Sequence, residues 1–148
     1  MREVFILEDI LNALIALETH GNALYLDLAE RAGDLETRNL FTSLAKQELR
    51  HKEIYTEFKD RLTLKTEIEE EYLDYLNELI RSNIHLERMD VKACGFDEAL
   101  DIGIQLEKDT ILFLSELKGI LSENTAQIEA LVLEEKNHLK LLLPLKGS

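Results

Sequence analysis

Glu48-Leu-Arg-His51 and Glu135-Lys-Asn-His138 repeat one Glu-x-x-His pattern far apart in a chain of 148 residues. On a helix, side chains three positions apart share a face one turn apart, so each stretch presents a carboxylate and an imidazole to the same point. Glu18 lies 30 residues before Glu48, and Glu107 lies 28 residues before Glu135. Like the two motifs, both interrupt what is otherwise an apolar helical stripe. Four acids and two imidazoles aimed at one core need counter-charge, because a buried, unpaired carboxylate costs enough to drive it neutral. Two divalent cations would match four ionised glutamates, and neutral histidines would add one nitrogen to each. The pattern implies a two-metal site, with one glutamate from each motif as bridge and Glu18 and Glu107 as terminal ligands. Oxygen-rich ligation with one nitrogen per ion suits iron or manganese, alone or mixed, with zinc as an opportunist.

Glutamate fills 21 of 148 positions, so one Glu-x-x-His among four histidines is close to chance. Two of them, centred on apolar stripes and matched by glutamates on other helices, are not. His20 stands two residues from Glu18 and faces elsewhere, and His85 falls in an irregular segment. Neither joins the set. Cys94 stands alone, which excludes an internal disulfide and a four-cysteine knuckle, and no basic group is arranged beside it to activate the thiol. Tyr25 lies two turns along from Glu18 on the same stripe. It reads as a core tyrosine, or more sharply as a hydrogen-bond donor to a metal ligand or a redox-accessible phenol. Neither a glycine-rich phosphate loop nor a Ser/His/Asp set is present.

The elements that must position these residues are helices. A single proline, six glycines and 45% hydrophobic residues disfavour a turn-rich β fold, and the length is that of one domain, residues 1–148. The first helix is expected over Val4–Arg31, with Leu7, Leu11, Leu14, Glu18, Gly21, Tyr25 and Leu28 inward, and Gly33 as its stop. The second, from Leu35 to Leu62, is capped by Asp34 and carries Phe41, Leu44, Glu48, His51, Tyr55, Phe58 and Leu62 at 3-4 spacing. Residues 63–96 are the least regular third, with a shorter helix around Ile68, Tyr72, Tyr75 and Leu79 and a loop from Glu87 to Gly95. The third long helix, Asp97–Leu121, turns Leu100, Gly103, Glu107, Ile111, Leu114 and Leu117 inward. After a polar turn with Thr125 as N-cap, the fourth spans Ala126–Leu143 with Ile128, Leu131, Glu135, His138 and Leu142 inward, and Pro144 and Gly147 end it.

Connections of about three residues make the first and last helix pairs antiparallel hairpins. The middle connection is long enough to travel back along a helix of ~28 residues, or ~42 Å. An all-α four-helix bundle of two hairpins related by an approximate two-fold axis follows. The net charge of −13 argues against nucleic acid, and no apolar run approaches the length of a bilayer span. The acidic interruptions near the start do not suit a signal peptide, so a cytoplasmic protein is expected.

Taken together, Glu18 with Tyr25, Glu48 with His51, Glu107, and Glu135 with His138 resemble the rubrerythrin and ferritin-like di-iron carboxylate superfamily over nearly the whole chain. The resemblance implies two iron ions and an oxidoreductase acting on hydrogen peroxide or dioxygen. Ferroxidase or iron-storage chemistry, and a non-enzymatic metal-binding bundle, are the alternatives. Full-length rubrerythrins also carry a four-cysteine rubredoxin-like domain; with one cysteine here, a separate electron-donor protein, rubredoxin-like or similar, is expected. Thr110 stands where many rubrerythrins have a second glutamate, leaving a six-ligand set closer to the bacterioferritin type. Leu114 is the pseudo-symmetric counterpart of Tyr25, so only one half keeps that hydroxyl. A homodimer is the expected assembly.

Overall fold

Helix formers set at 3-4 spacing produce long rods, and each rod must bury its apolar stripe against another. In the computed structural model, which describes residues 2–61, 70–82 and 94–146, they do so as α1 (Arg2–Arg31), α2 (Leu35–Arg61), α3 (Glu70–Ser82), α4 (Phe96–Ile120) and α5 (Thr125–Leu142). There is no strand among the described residues. Residues 32–34 link α1 to α2, and a single 3-10 turn, Ser122–Asn124, links α4 to α5. Both pairs are hairpins. Helix α1 packs on α2 and α4, α4 on α5, and the crossover helix α3 lies against α1. This is the bundle of two hairpins with a crossover helix that the spacing predicts.

The inward stripes of α1, α2 and α5 are buried at every described position named above. Asp34 caps α2 by accepting the Thr37 N–H at 2.6 Å. On α4 the stripe needs correction: Ile111 is half-buried, and Thr110 and Phe113 take the inner positions. Leu100, Gly103, Glu107, Thr110, Leu114 and Leu117 keep the 3-4 alternation unbroken, and choosing the apolar Ile111 broke it. Thr110 can be buried because its hydroxyl donates to the Leu106 carbonyl at 2.8 Å.

Thr125 is not the N-cap of α5. It is the first residue of the helix, and its hydroxyl donates back to the Ser122 carbonyl at 2.9 Å, while Asn124 occupies the cap without a side-chain bond. The 3-10 turn runs straight into α5, so no extended residue is left to fold a hydroxyl over the first N–H groups. Pro144 lies in a second 3-10 turn, Leu143–Leu145, just after α5.

Among the described side chains of α3, Leu76 is fully buried, whereas Tyr75 is exposed. The hydroxyls of Tyr72 and Tyr75 both donate to Glu116 on α4, the latter at 3.1 Å. Leu62, Glu67, Ile68, His85 and all but the last two residues of the Glu87–Gly95 loop lie outside the described residues. Leu76→Ala is expected to lower the unfolding free energy by about 2–4 kcal/mol, as for a core leucine. Tyr75→Ala should cost under about 1 kcal/mol. Urea unfolding of the two variants checks which residue docks the crossover. Among the described residues, no helix is long and apolar enough to cross a membrane.

Candidate metal centre

Midway along the bundle, the interior stops being apolar. Glu18 comes from α1, Glu48 and His51 from α2, Glu107 from α4, and Glu135 and His138 from α5, and none is more than 3% exposed. The structure brings all six together. They form two groups whose donor atoms lie within 4.8 Å of one another: Glu48, Glu107, Glu135 and His138 in one, Glu18, His51 and Glu135 in the other. Glu135 belongs to both. Glu48 belongs to the His138 group alone. The two imidazoles stack across the layer, with ring centroids 5.8 Å apart and planes 14° from parallel.

Around His138 Nδ1 stand Glu48 Oε1 at 3.3 Å, Glu107 Oε2 at 3.4 Å and Glu135 Oε2 at 3.5 Å. None of the three makes a hydrogen bond to it. Those same oxygens, with His138 Nδ1 and Glu18 Oε2, are buried without a hydrogen-bond partner. Buried polar atoms are almost always satisfied, so five orphans converging on one layer need a common explanation. Donors bound to one cation at ~2.1 Å sit roughly 3–3.5 Å from one another. The oxygen-rich set with one imidazole per group therefore fits two divalent ions.

The electrostatics of the residues themselves agree. Burial, then the charges of Glu48 and Glu135, push the Glu107 carboxyl well above its ordinary range. Burial also raises Glu48, with His138 partly opposing it. Glu135 goes the other way: burial opposes its ionisation, but Glu107, His138 and His51 outweigh burial and hold it low. Burial would lower both histidines, yet the carboxylates beside them win, and His138 is pushed up to about 12. Without cations, protons take the place of metal charge in this layer.

A second ring of polar groups holds four of these six. Tyr25 donates to Glu107 Oε1 at 2.5 Å, across the bundle and not to Glu18 on its own helix. Glu18 Oε1 instead receives the hydroxyl of Tyr55 at 3.2 Å. Glu107 and Glu18 thus each receive a phenol, and both phenols come from the first hairpin. His51 Nε2 meets Glu134 Oε2 at 2.7 Å, and His138 Nε2 meets Gln47 Oε1 at 2.6 Å.

Sequence reasoning left Tyr55, Gln47 and Glu134 without a role. The available signals were that Tyr55 stands one turn past His51, and that Gln47 and Glu134 each directly precede a motif glutamate. Gly21 matters for space: a Cβ there would stand 3.2 Å from Glu48 Oε2. His20 is half-buried and outside both groups, and Cys94, also half-buried, meets the Arg31 side chain through its backbone carbonyl at 2.7 Å.

Tyr25→Phe removes the hydroxyl that Glu107 Oε1 accepts and leaves ring packing on Phe41 in place. An unsatisfied buried acceptor costs about 1–3 kcal/mol, so metal-loaded Tyr25→Phe should unfold in urea with that deficit while keeping its metal content. An unchanged unfolding free energy would show that the bond carries no net stability.

The chain matches the rubrerythrin family model over residues 9–146. Among solved structures, it is similar to a Thermotoga maritima protein described as ferritin-like and diiron-carboxylate, with 28% identity, a TM-score of 0.69, and coverage of 95% of this chain and 93% of the other. No protein of curated function matches. The model spans nearly the whole of this helical bundle, its buried Glu/His layer included, and the chain belongs to the rubrerythrin family.

Proposed function

We propose that the protein is a dinuclear metal oxidoreductase that holds two iron ions and reduces hydrogen peroxide or dioxygen with electrons from a separate donor protein. One observation carries the reading: Glu135 is shared by two groups of buried donors, five of whose atoms are orphaned. In this reading Glu18 and His51 would hold one ion, Glu48, Glu107 and His138 the other, and Glu135 would be shared by both. When bound, a reduced iron pair supplies two electrons and a place for an O–O substrate to bind.

The chain's own residues do the rest. Leu14, Leu44, Leu131 and Phe113, all almost wholly buried, contribute to a core that excludes bulk water and sharpens every charge in the polar layer. Burial and the neighbouring Glu107 raise the Tyr25 phenol well above its ordinary range, so it keeps its proton and serves as a fixed donor to Glu107. Tyr55, raised by burial and then by Glu135, does the same for Glu18. Reduction of one peroxide to two waters takes up two electrons and two protons, which this layer must admit from outside.

Elemental analysis of protein purified without chelator, peroxide and dioxygen consumption after anaerobic Fe(II) loading, and gel filtration test the proposal together. Two irons per chain, turnover sustained by an added reductant, and elution as a homodimer are the expected results. A very large particle that accumulates iron would instead indicate storage. Two bound zinc ions with no turnover after iron loading would indicate a structural centre.

A further inference from the structure

The two halves of the centre are not chemically equal, and the difference lies one layer outside the ligands. His51 Nε2 faces the carboxylate of Glu134, which Arg50 also engages from the surface. His138 Nε2 faces the side-chain oxygen of Gln47, a neutral amide. Both partners come from the helix opposite: Glu134 on α5 supports His51 on α2, and Gln47 on α2 supports His138 on α5. At both rings Nε2–H donates outward and Nδ1 faces the site, where His51 Nδ1 lies 2.6 Å from Glu135 Oε1. A carboxylate behind an imidazole raises its basicity as a ligand, and an amide does so much less.

We propose that Glu134 and Gln47 are positioning residues that make the two metal positions inequivalent, with His51 the stronger nitrogen donor because a carboxylate stands behind it. This rests on the two-metal reading above and deepens it. The motif then extends one residue in each half, as Gln47-Glu48-x-x-His51 and Glu134-Glu135-x-x-His138, and the leading position is where the pseudo-symmetry breaks in charge. Arg50 has Asn137 as its counterpart, so the added cation is also confined to the His51 side. Swapping the identities of two outer residues should therefore redistribute affinity between the metal positions without touching a ligand.

Anaerobic titration with Co(II) as the probe, followed by visible absorption and by the paramagnetically shifted ring N–H proton signals, tests this. In Glu134→Gln, one binding step is expected to weaken by about tenfold or more while the other stays within about threefold. The ring N–H signal that moves should be the one absent in His51→Ala. Gln47→Glu should strengthen the other step and move only the signal absent in His138→Ala.

If both steps in Glu134→Gln stay within about threefold and neither signal moves, the inference is overturned, as it is if both steps weaken equally. Should Glu134→Gln lose its helical circular dichroism, Gln47→Glu decides alone, and an unmoved His138 signal overturns the proposal. Wild-type protein binding fewer than two Co(II) ions would overturn the two-metal reading together with it. Two ions in the wild type and an indifferent variant would overturn the inference alone.

Discussion

Replacing Glu135 with alanine is expected to leave less than one metal ion per chain, against two in the wild type, as measured by elemental analysis after loading and desalting. Glu135 is the residue common to both donor groups, so under the two-ion proposal its loss would take an oxygen from each ion at once. It is also the acid most firmly ionised, held low by Glu107, His138 and His51 against the opposing effect of burial. Glu18 lies only in the His51 group, so Glu18→Ala should cost one ion and spare the other. Glu48 lies only in the His138 group, so Glu48→Ala should likewise cost one ion, and a fall below one ion per chain would show that Glu48 bridges as well. Retention of two ions in Glu135→Ala would remove the shared-ligand assignment. Comparison with Glu135→Gln separates charge from shape, because the amide keeps the volume that Ala vacates.

Metal stabilisation should widen as pH rises from 5 to 8. The sign follows from the direction of each shift in the metal-free protein. His51 and His138 are raised, so the stability they give is complete below their ordinary value near 6.5 and is lost as pH climbs toward their folded values, about 12 for His138. Glu107 and Glu48 are raised as well, and the folded state favours their protonated forms. Their contribution is complete below about 4.5 and declines above it. Glu135 is lowered and acts oppositely, losing its contribution only as pH falls below the ordinary carboxylate range.

From pH 5 to 8 the metal-free protein therefore loses stability, by up to about 1.4 kcal/mol per pH unit for each group in transit. Bound cations require neutral imidazoles and ionised glutamates, so loading at pH 7 should release protons, above all from His138, which the carboxylates beside it hold up at about 12. Urea unfolding of both forms across this range, with calorimetry in buffers of different ionisation enthalpy, measures the effect. Parallel stability curves and no proton release would refute it.

Much of this centre was legible without coordinates, and the reason is periodicity. A helix has a fixed 3.6-residue repeat, so a polar residue on an apolar stripe announces that it is buried. Glu18, Glu48, His51, Glu107, Glu135 and His138 were all found that way, and Tyr25 with them. At Ile111 side-chain hydrophobicity misled where the repeat itself pointed to Thr110, which sits inside because a backbone carbonyl satisfies its hydroxyl.

Residue type and spacing alone determined which side chains turn inward, that the rods pair as hairpins, and that acids and imidazoles meet at one level. Only the tertiary structure decided who touches whom across that level: Tyr25 reaching Glu107, Tyr55 reaching Glu18, and Glu134 and Gln47 backing the histidines of opposite helices. Facing direction is a local property of one helix. Partnership depends on the axial offset and rotation between helices, which the packing of the whole core sets and no short-range pattern encodes.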